Sequence, residues 1–171
     1  MVTPEQAPPG GAFGIASGVP DPELPMVTVA DLGILRDVLE DGDTVTVVIT
    51  PTYSGCPAMH EIGHDLRRRL RDAGYRSVTV RTELSPPWTS DWITPAGRRK
   101  LAEAGIAPPK TIARQQPAGP IPLTLTARGA VPCPNCGSRQ TQETARFSGT
   151  ACKALYRCEH CQEPFEQVKE I

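Results

Sequence analysis

The chain has 171 residues, a formal net charge of -1, and only 5% aromatic residues. That length allows one good core plus a small appendage, or two small domains, and no stretch approaches the about 20 apolar residues of a membrane span. Near-neutral charge and sparse aromatics argue against nucleic acid or an anionic membrane as partner.

Residues 1–18 are rich in Pro, Gly and Ala, without a basic start or an apolar run, so they are expected to be a disordered tail and not a targeting signal. The expected location is therefore the cytoplasm, where thiols stay reduced and clustered cysteines mean metal, not disulfides. Folded structure is expected from Val19. Asp21-Pro22-Glu23 reads as a helix N-cap, a proline at the first helical position and an acid in the first turn, so a short helix should follow and end before Leu32-Gly33. Residues 34–40 and 44–50 read as strands joined by a tight type I′ turn at Asp41-Gly42.

Met59, Ile62, Leu66, Leu70 and Ala73 recur at the period of an amphipathic helix that Gly74 ends. A strand over 76–84 follows, with Val78 and Val80 inward, and Thr94-Pro95 should start another helix ending near Gly105. Trp88 and Trp92 are expected to close the core or line a surface groove. The fold class is α+β, a small mixed sheet covered by helices over residues 19–106. A Pro-rich linker is expected over 107–127, and a second module over 128–171. There Cys133-x-x-Cys136 and Cys158-x-x-Cys161 carry the spacing of a four-cysteine zinc ribbon.

Cys56 is alone in the first 132 residues, and Pro57 behind it suits the first position of the Met59 helix, so Cys56 is expected to cap that helix. The positive helix end favours thiolate, which is both nucleophile and metal ligand; the plainer reading is a buried small hydrophobe in a turn. Cys152 fits neither ribbon knuckle and is read as a buried strand thiol or a spare ligand.

His60-Glu61-Ile62-Gly63-His64 matches the H-E-x-x-H helix of zinc proteases. Two features argue against that function. Burial of Met59, Ile62 and Leu66 turns both histidines to the polar face with Arg67, Arg68 and Arg71, and no third ligand follows at the metzincin position, which is Leu70. His60, one turn beyond Cys56, remains an auxiliary ligand candidate with it. The chain also lacks the carboxylate and histidine set of a di-iron oxygenase, a G-x-G-x-x-G turn and a G-K-S/T phosphate loop, so a non-catalytic protein is expected.

Asp21-Pro22-Glu23, Asp31-Leu32-Gly33, the segment 50–57 and Pro87-Trp88 stand in the order seen in the iron-sulfur-assembly-associated domain family. With Trp88-Thr89-Ser90-Asp91-Trp92, Gly105-Ile106-Ala107-Pro108-Pro109 and the run 133–165, the chain resembles the PaaD-like family of phenylacetate degradation over nearly all its length. The resemblance implies an accessory role for phenylacetyl-CoA epoxidase, in maturing its di-iron or iron-sulfur centres. It maps the family's exposed cysteine onto Cys56 and its acidic start onto Asp21 and Glu23. The implied cofactors are zinc in the ribbon and a transient iron or iron-sulfur cluster at Cys56. The implied partners are the epoxidase subunits, including the iron-sulfur reductase. The alternative is a stable, non-catalytic structural subunit of the epoxidase. An exposed hairpin edge leaves a homodimer open.

Overall fold

The computed structural model describes residues 11–110 and 130–170. Its architecture is α+β. The first sheet has the order β1-β2-β3, from Leu35–Asp41, Thr44–Ile49 and Ser77–Thr82. β1 and β2 are antiparallel, and β2 and β3 are parallel because the helix Ala58–Asp72 crosses between them. Val45, Val47 and Ile49 alternate along β2 with at most 1% exposure and meet Ile62, Leu66 and Leu70 of that helix. Truncating any one of these helix residues to alanine would cost about 2–5 kcal/mol.

Four local expectations are corrected. The tail is partly folded: Ala12–Ser17 form a helix, α1, and Ala12 and Ala16 are fully buried. Small side chains let α1 lie close against the core, and a composition of Ala and Gly hides this from sequence reading. Residues 1–10 lie outside the described residues.

No helix follows Asp21. Its Oδ1 accepts the amides of Glu23 and Leu24, each at 2.9 Å, as an N-cap would. Pro25, however, has no amide to donate and disfavours helical backbone at Leu24. The chain turns instead, and Pro20 pairs with Thr28 as an isolated bridge.

The hairpin turn is Gly42-Asp43, and only Gly42 has positive φ, at 55°. That is the requirement of a type II′ turn, not type I′.

The fourth correction concerns the boundary at 106/107. The Ser90–Trp92 turn leads to α3, Pro95–Glu103, which is capped by Thr94 Oγ1 accepting the Gly97 amide at 2.9 Å. The helix crossing β2 to β3 is then α2. Past Gly105 the chain forms β4, Ile106–Ala107, which joins the second sheet, order β4-β7-β6-β5, with β5 Thr141–Ala145, β6 Lys153–Cys158 and β7 Pro164–Val168. Ile106 pairs with Glu166 and Ala107 with Gln167. Ala107, expected to open the linker, is 2% exposed inside the ribbon's core, and Val168 of the ribbon belongs to the core of the first module. Of the expected linker, residues 111–127 lie outside the described residues.

Trp88 is buried, and its indole Nε1 donates to the Leu32 carbonyl at 2.9 Å. Trp92 is half-buried, with the Arg36 guanidinium 3.5 Å from its ring centroid.

Candidate metal sites

Four sulfurs gather at the ribbon's tip. Cys133, Cys136, Cys158 and Cys161 place Sγ atoms within 4.8 Å of one another. Cys133 and Cys161 are 3.7 Å apart, and Cys136 and Cys158 are 3.6 Å apart. Zinc bonded to sulfur at about 2.3 Å sets tetrahedral sulfurs about 3.8 Å apart, so the spacing fits one tetrahedral ion. Backbone folding creates the two knuckles: the Gly137 amide donates to the Cys133 carbonyl at 2.8 Å with Gly137 at φ 74°, and Gln162 has φ 64°.

Crowding makes the thiols unequal. The Cys161 amide, with help from His160, brings Cys158 down to about 6 despite desolvation. The Ser138 amide favours the Cys136 thiolate, yet desolvation and the neighbouring sulfurs push Cys136 up to about 12. A cation relieves that conflict by neutralising the thiolates it binds.

The second constellation lies where the modules meet. Asp21, Glu23, Thr52, Cys56 and Cys152 surround a small cavity floored by Leu24, Leu32, Ile34, Trp88 and Val168. Its free volume is about 20 Å³. Cys56 arrives from the loop before α2, where the Ala58 amide favours its thiolate. The expected cap is displaced by one residue: Pro57 is the N-cap and makes no side-chain capping bond.

The expected thiolate is also reversed in sign. Burial pushes the half-buried Cys56 thiol up, the Ala58 amide opposes this, and Glu23, Cys152 and Asp21 push it further. Desolvation of the half-buried thiol outweighs the single amide that favours its thiolate, and the neighbouring acids add to it. Burial likewise raises Asp21 and Glu23, against Lys153 nearby, and raises Cys152.

The remaining predicted ligand goes elsewhere. His60 and His64 are exposed on α2 and do not line the cavity, so Cys56 and His60 face different surroundings. Among the described residues, the one group of three metal-ligating side chains on α2 is Glu61, His64 and Asp65, which omits His60. That geometry departs from the two-histidine arrangement a zinc protease requires.

Lys153 was not anticipated. It is 7% exposed, pairs with Glu166 at 2.7 Å and lies close enough to lower Asp21 and Glu23 electrostatically. A lysine beside an off-register cysteine was its only sequence signal.

Residues 17–81 match the family described as iron-sulfur cluster assembly protein, and residues 117–169 match the PaaD zinc beta ribbon domain. A relative from Escherichia coli (strain K12), provisionally named as a subunit of 1,2-phenylacetyl-CoA epoxidase, is 40% identical over 93% of this chain and 91% of its own length. An Fe-S protein maturation auxiliary factor from Porphyromonas gingivalis is 36% identical over 43% of this chain and 71% of its own. The crystal structure of a domain of unknown function, DUF59, from Bacillus anthracis has a TM-score of 0.49 and 26% identity, covering 53% of this chain and 87% of that one. Among the described residues no helix is long and apolar enough to cross a membrane. With 40% identity across nearly its whole length to the Escherichia coli relative, the chain belongs to the PaaD family, in which an iron-sulfur-assembly domain is followed by a PaaD zinc ribbon.

Proposed function

We propose that this protein is a non-catalytic accessory factor that matures the metal centres of a phenylacetyl-CoA epoxidase, handling iron or an iron-sulfur cluster as cargo at Cys56. The observation that carries the reading is the position of Cys56. It lies at a helix N-terminus, half-buried, on a cavity that also draws in Asp21 and Glu23. A group held there by few donors, next to an exposed Ser54-Gly55 loop, is released more readily than one enclosed by four thiolates.

The ribbon cysteines Cys133, Cys136, Cys158 and Cys161 would hold zinc, which keeps the second module folded. Zinc has no redox chemistry, which suits a structural staple. Cys56 supplies the exchangeable thiol, and Asp21 and Glu23 supply oxygen donors and negative charge that favour a cation. The epoxidase subunits, including the iron-sulfur reductase, are the partners in this reading, and its setting is the cytoplasm.

The test is the iron content of epoxidase matured in cells carrying Cys56→Ser, at equal expression and with ribbon metal quantified. Loss of iron with an intact ribbon is the expected result. Full iron and full activity would overturn the maturation role and favour the second reading, a stable structural subunit, to which the naming of the Escherichia coli relative as an epoxidase subunit lends support.

A further inference from the structure

Cys152 is surplus to the ribbon, which already brings four sulfurs together. It stands in the turn entering β6, held by the Lys169 amide donating to its carbonyl at 2.9 Å, with its sulfur 3.1 Å from Thr150 Oγ1. From there it faces the same cavity as Cys56, although the two residues come from different modules. The junction is fixed by the pairing of β4 with β7 and by Val168 in the first module's core, so the encounter follows from the fold.

We propose that Cys56 and Cys152, together with Asp21 and Glu23, form a second metal site shared by the two modules, which takes a single divalent ion of borderline softness such as ferrous iron.

This rests on the proposed handling of iron at Cys56 and specifies its cargo and its second thiol. Three observations support it. Two sulfur and two carboxylate donors suit borderline transition metals better than magnesium or calcium, which prefer all-oxygen sites. The cavity's volume of about 20 Å³ is that of one water-sized occupant, too small for a cluster without rearrangement. Two carboxylates, Asp21 and Glu23, line it, while the neighbouring Lys153 ammonium is engaged by Glu166 at 2.7 Å. Unlike the ribbon sulfurs, no three of these donors lie within 4.8 Å of one another. The site must therefore close on its ion, and the same movement in reverse releases it. Binding is a proton-for-metal exchange without redox change: each thiol that coordinates gives its proton to water, and the metal takes the freed charge.

Cobalt(II) is the probe, added anaerobically under reducing conditions to full-length protein carrying one zinc in its ribbon. The unaltered protein is expected to bind a second metal equivalent with a thiolate-to-cobalt absorption band. Because that band scales with the number of thiolates bound, Cys152→Ser and Cys56→Ser should each reduce it to about half, and the double variant should abolish it, while ribbon zinc stays in place. No second equivalent, or a band unchanged by Cys152→Ser, would overturn the shared site. Cadmium NMR of the unaltered protein serves as a readout that needs no variant: a shift typical of two sulfur ligands is expected, and one typical of none or one overturns the proposal. Epoxidase iron in the same variants separates the two ideas. If Cys56→Ser lowers it but the cobalt band ignores Cys152, maturation stands and the shared site falls. If the band responds to both cysteines but epoxidase iron is full in both variants, the shared site stands and maturation falls.

Discussion

Lys153 Nζ lies 2.7 Å from Glu166 Oε2, and the two ends of this pair differ in exposure: the lysine side chain is 9% exposed and the glutamate 28%. Ser148 Oγ also donates to Glu166 Oε1. The pair sits on β6 and β7 beside the cavity, and Glu166 is the residue opposite Ile106 in the junction between modules.

Breaking this pair should be asymmetric. Glu166→Gln strands a buried ammonium and should cost about 3 kcal/mol, whereas Lys153→Met leaves a carboxylate that can turn to water and should cost less. Urea unfolding midpoints of the metal-loaded variants check the order, and equal losses would contradict the burial argument.

Acid should weaken the fold through one set of carboxylates and not another. Despite burial, Lys100, 2.6 Å away, and Thr28 hold Asp31 below its ordinary range, and Lys153 and Ser148 do the same for Glu166. Their folded values lie below the unfolded ones, so their stabilisation is complete above the unfolded carboxylate range and is lost as pH falls through the folded values. Asp21 has the opposite sign, because burial raises it. Its ionisation penalises the folded state as pH rises through its folded value. Asp21→Asn should thus stabilise the protein with an empty cavity at neutral pH, by about 1 kcal/mol, and the gain should vanish below the unfolded carboxylate range. Thermal unfolding across pH, with ribbon zinc present, would reveal this; a gain that persists in acid would mean the asparagine acts by some route other than charge.

Removing the ribbon metal should have a local and a distant effect. A chelator strong enough to strip four thiolates should unfold β5 to β7, because structural zinc sites contribute folding energy outright. The first sheet and α2 have their own core, so amide exchange should stay slow there. Protection around Cys56 and Trp88 should fall, since Val168 and Cys152 leave the cavity wall. Exchange mass spectrometry before and after chelation distinguishes this from two independent modules, in which Cys56 would feel nothing.

Gly33 is a position where a single methyl should be felt. It has φ 68°, and a Cβ there would stand 2.5 Å from the Trp92 Cβ and 2.6 Å from its carbonyl oxygen. Gly33→Ala should destabilise by at least about 1–3 kcal/mol, from overpacking together with the left-handed backbone. Gly42→Ala, whose Cβ would meet nothing within 4 Å, should cost only its backbone strain. Comparing the two in one denaturation series isolates the clash.

Periodicity was sufficient for much of this protein. Ile62, Leu66 and Leu70 recur at helical spacing, Val45, Val47 and Ile49 alternate, and both patterns report a single buried face, which is a local property of the chain. Thr94-Pro95 could be read as a helix start for the same reason, and paired C-x-x-C knuckles specify a four-thiolate cluster by spacing alone. The signal failed where the deciding partner was remote. Pro25 is the exception, a local breaker four residues past Asp21 that ended the helix expected there, whereas α1 depends on burial of Ala12 and Ala16 against a core that composition does not describe. The acidity of Cys56 was set first by its burial in the fold and then by Glu23, Cys152 and Asp21 around it, against the Ala58 amide behind it. Most elements of the two modules and the ribbon's sulfurs are legible along the chain, because helix period, strand alternation and knuckle spacing are short-range. That Cys56 and Cys152, nearly a hundred residues apart in sequence, face one cavity is a product of long-range packing, because it depends on β4 pairing with β7 and on Val168 entering the first core.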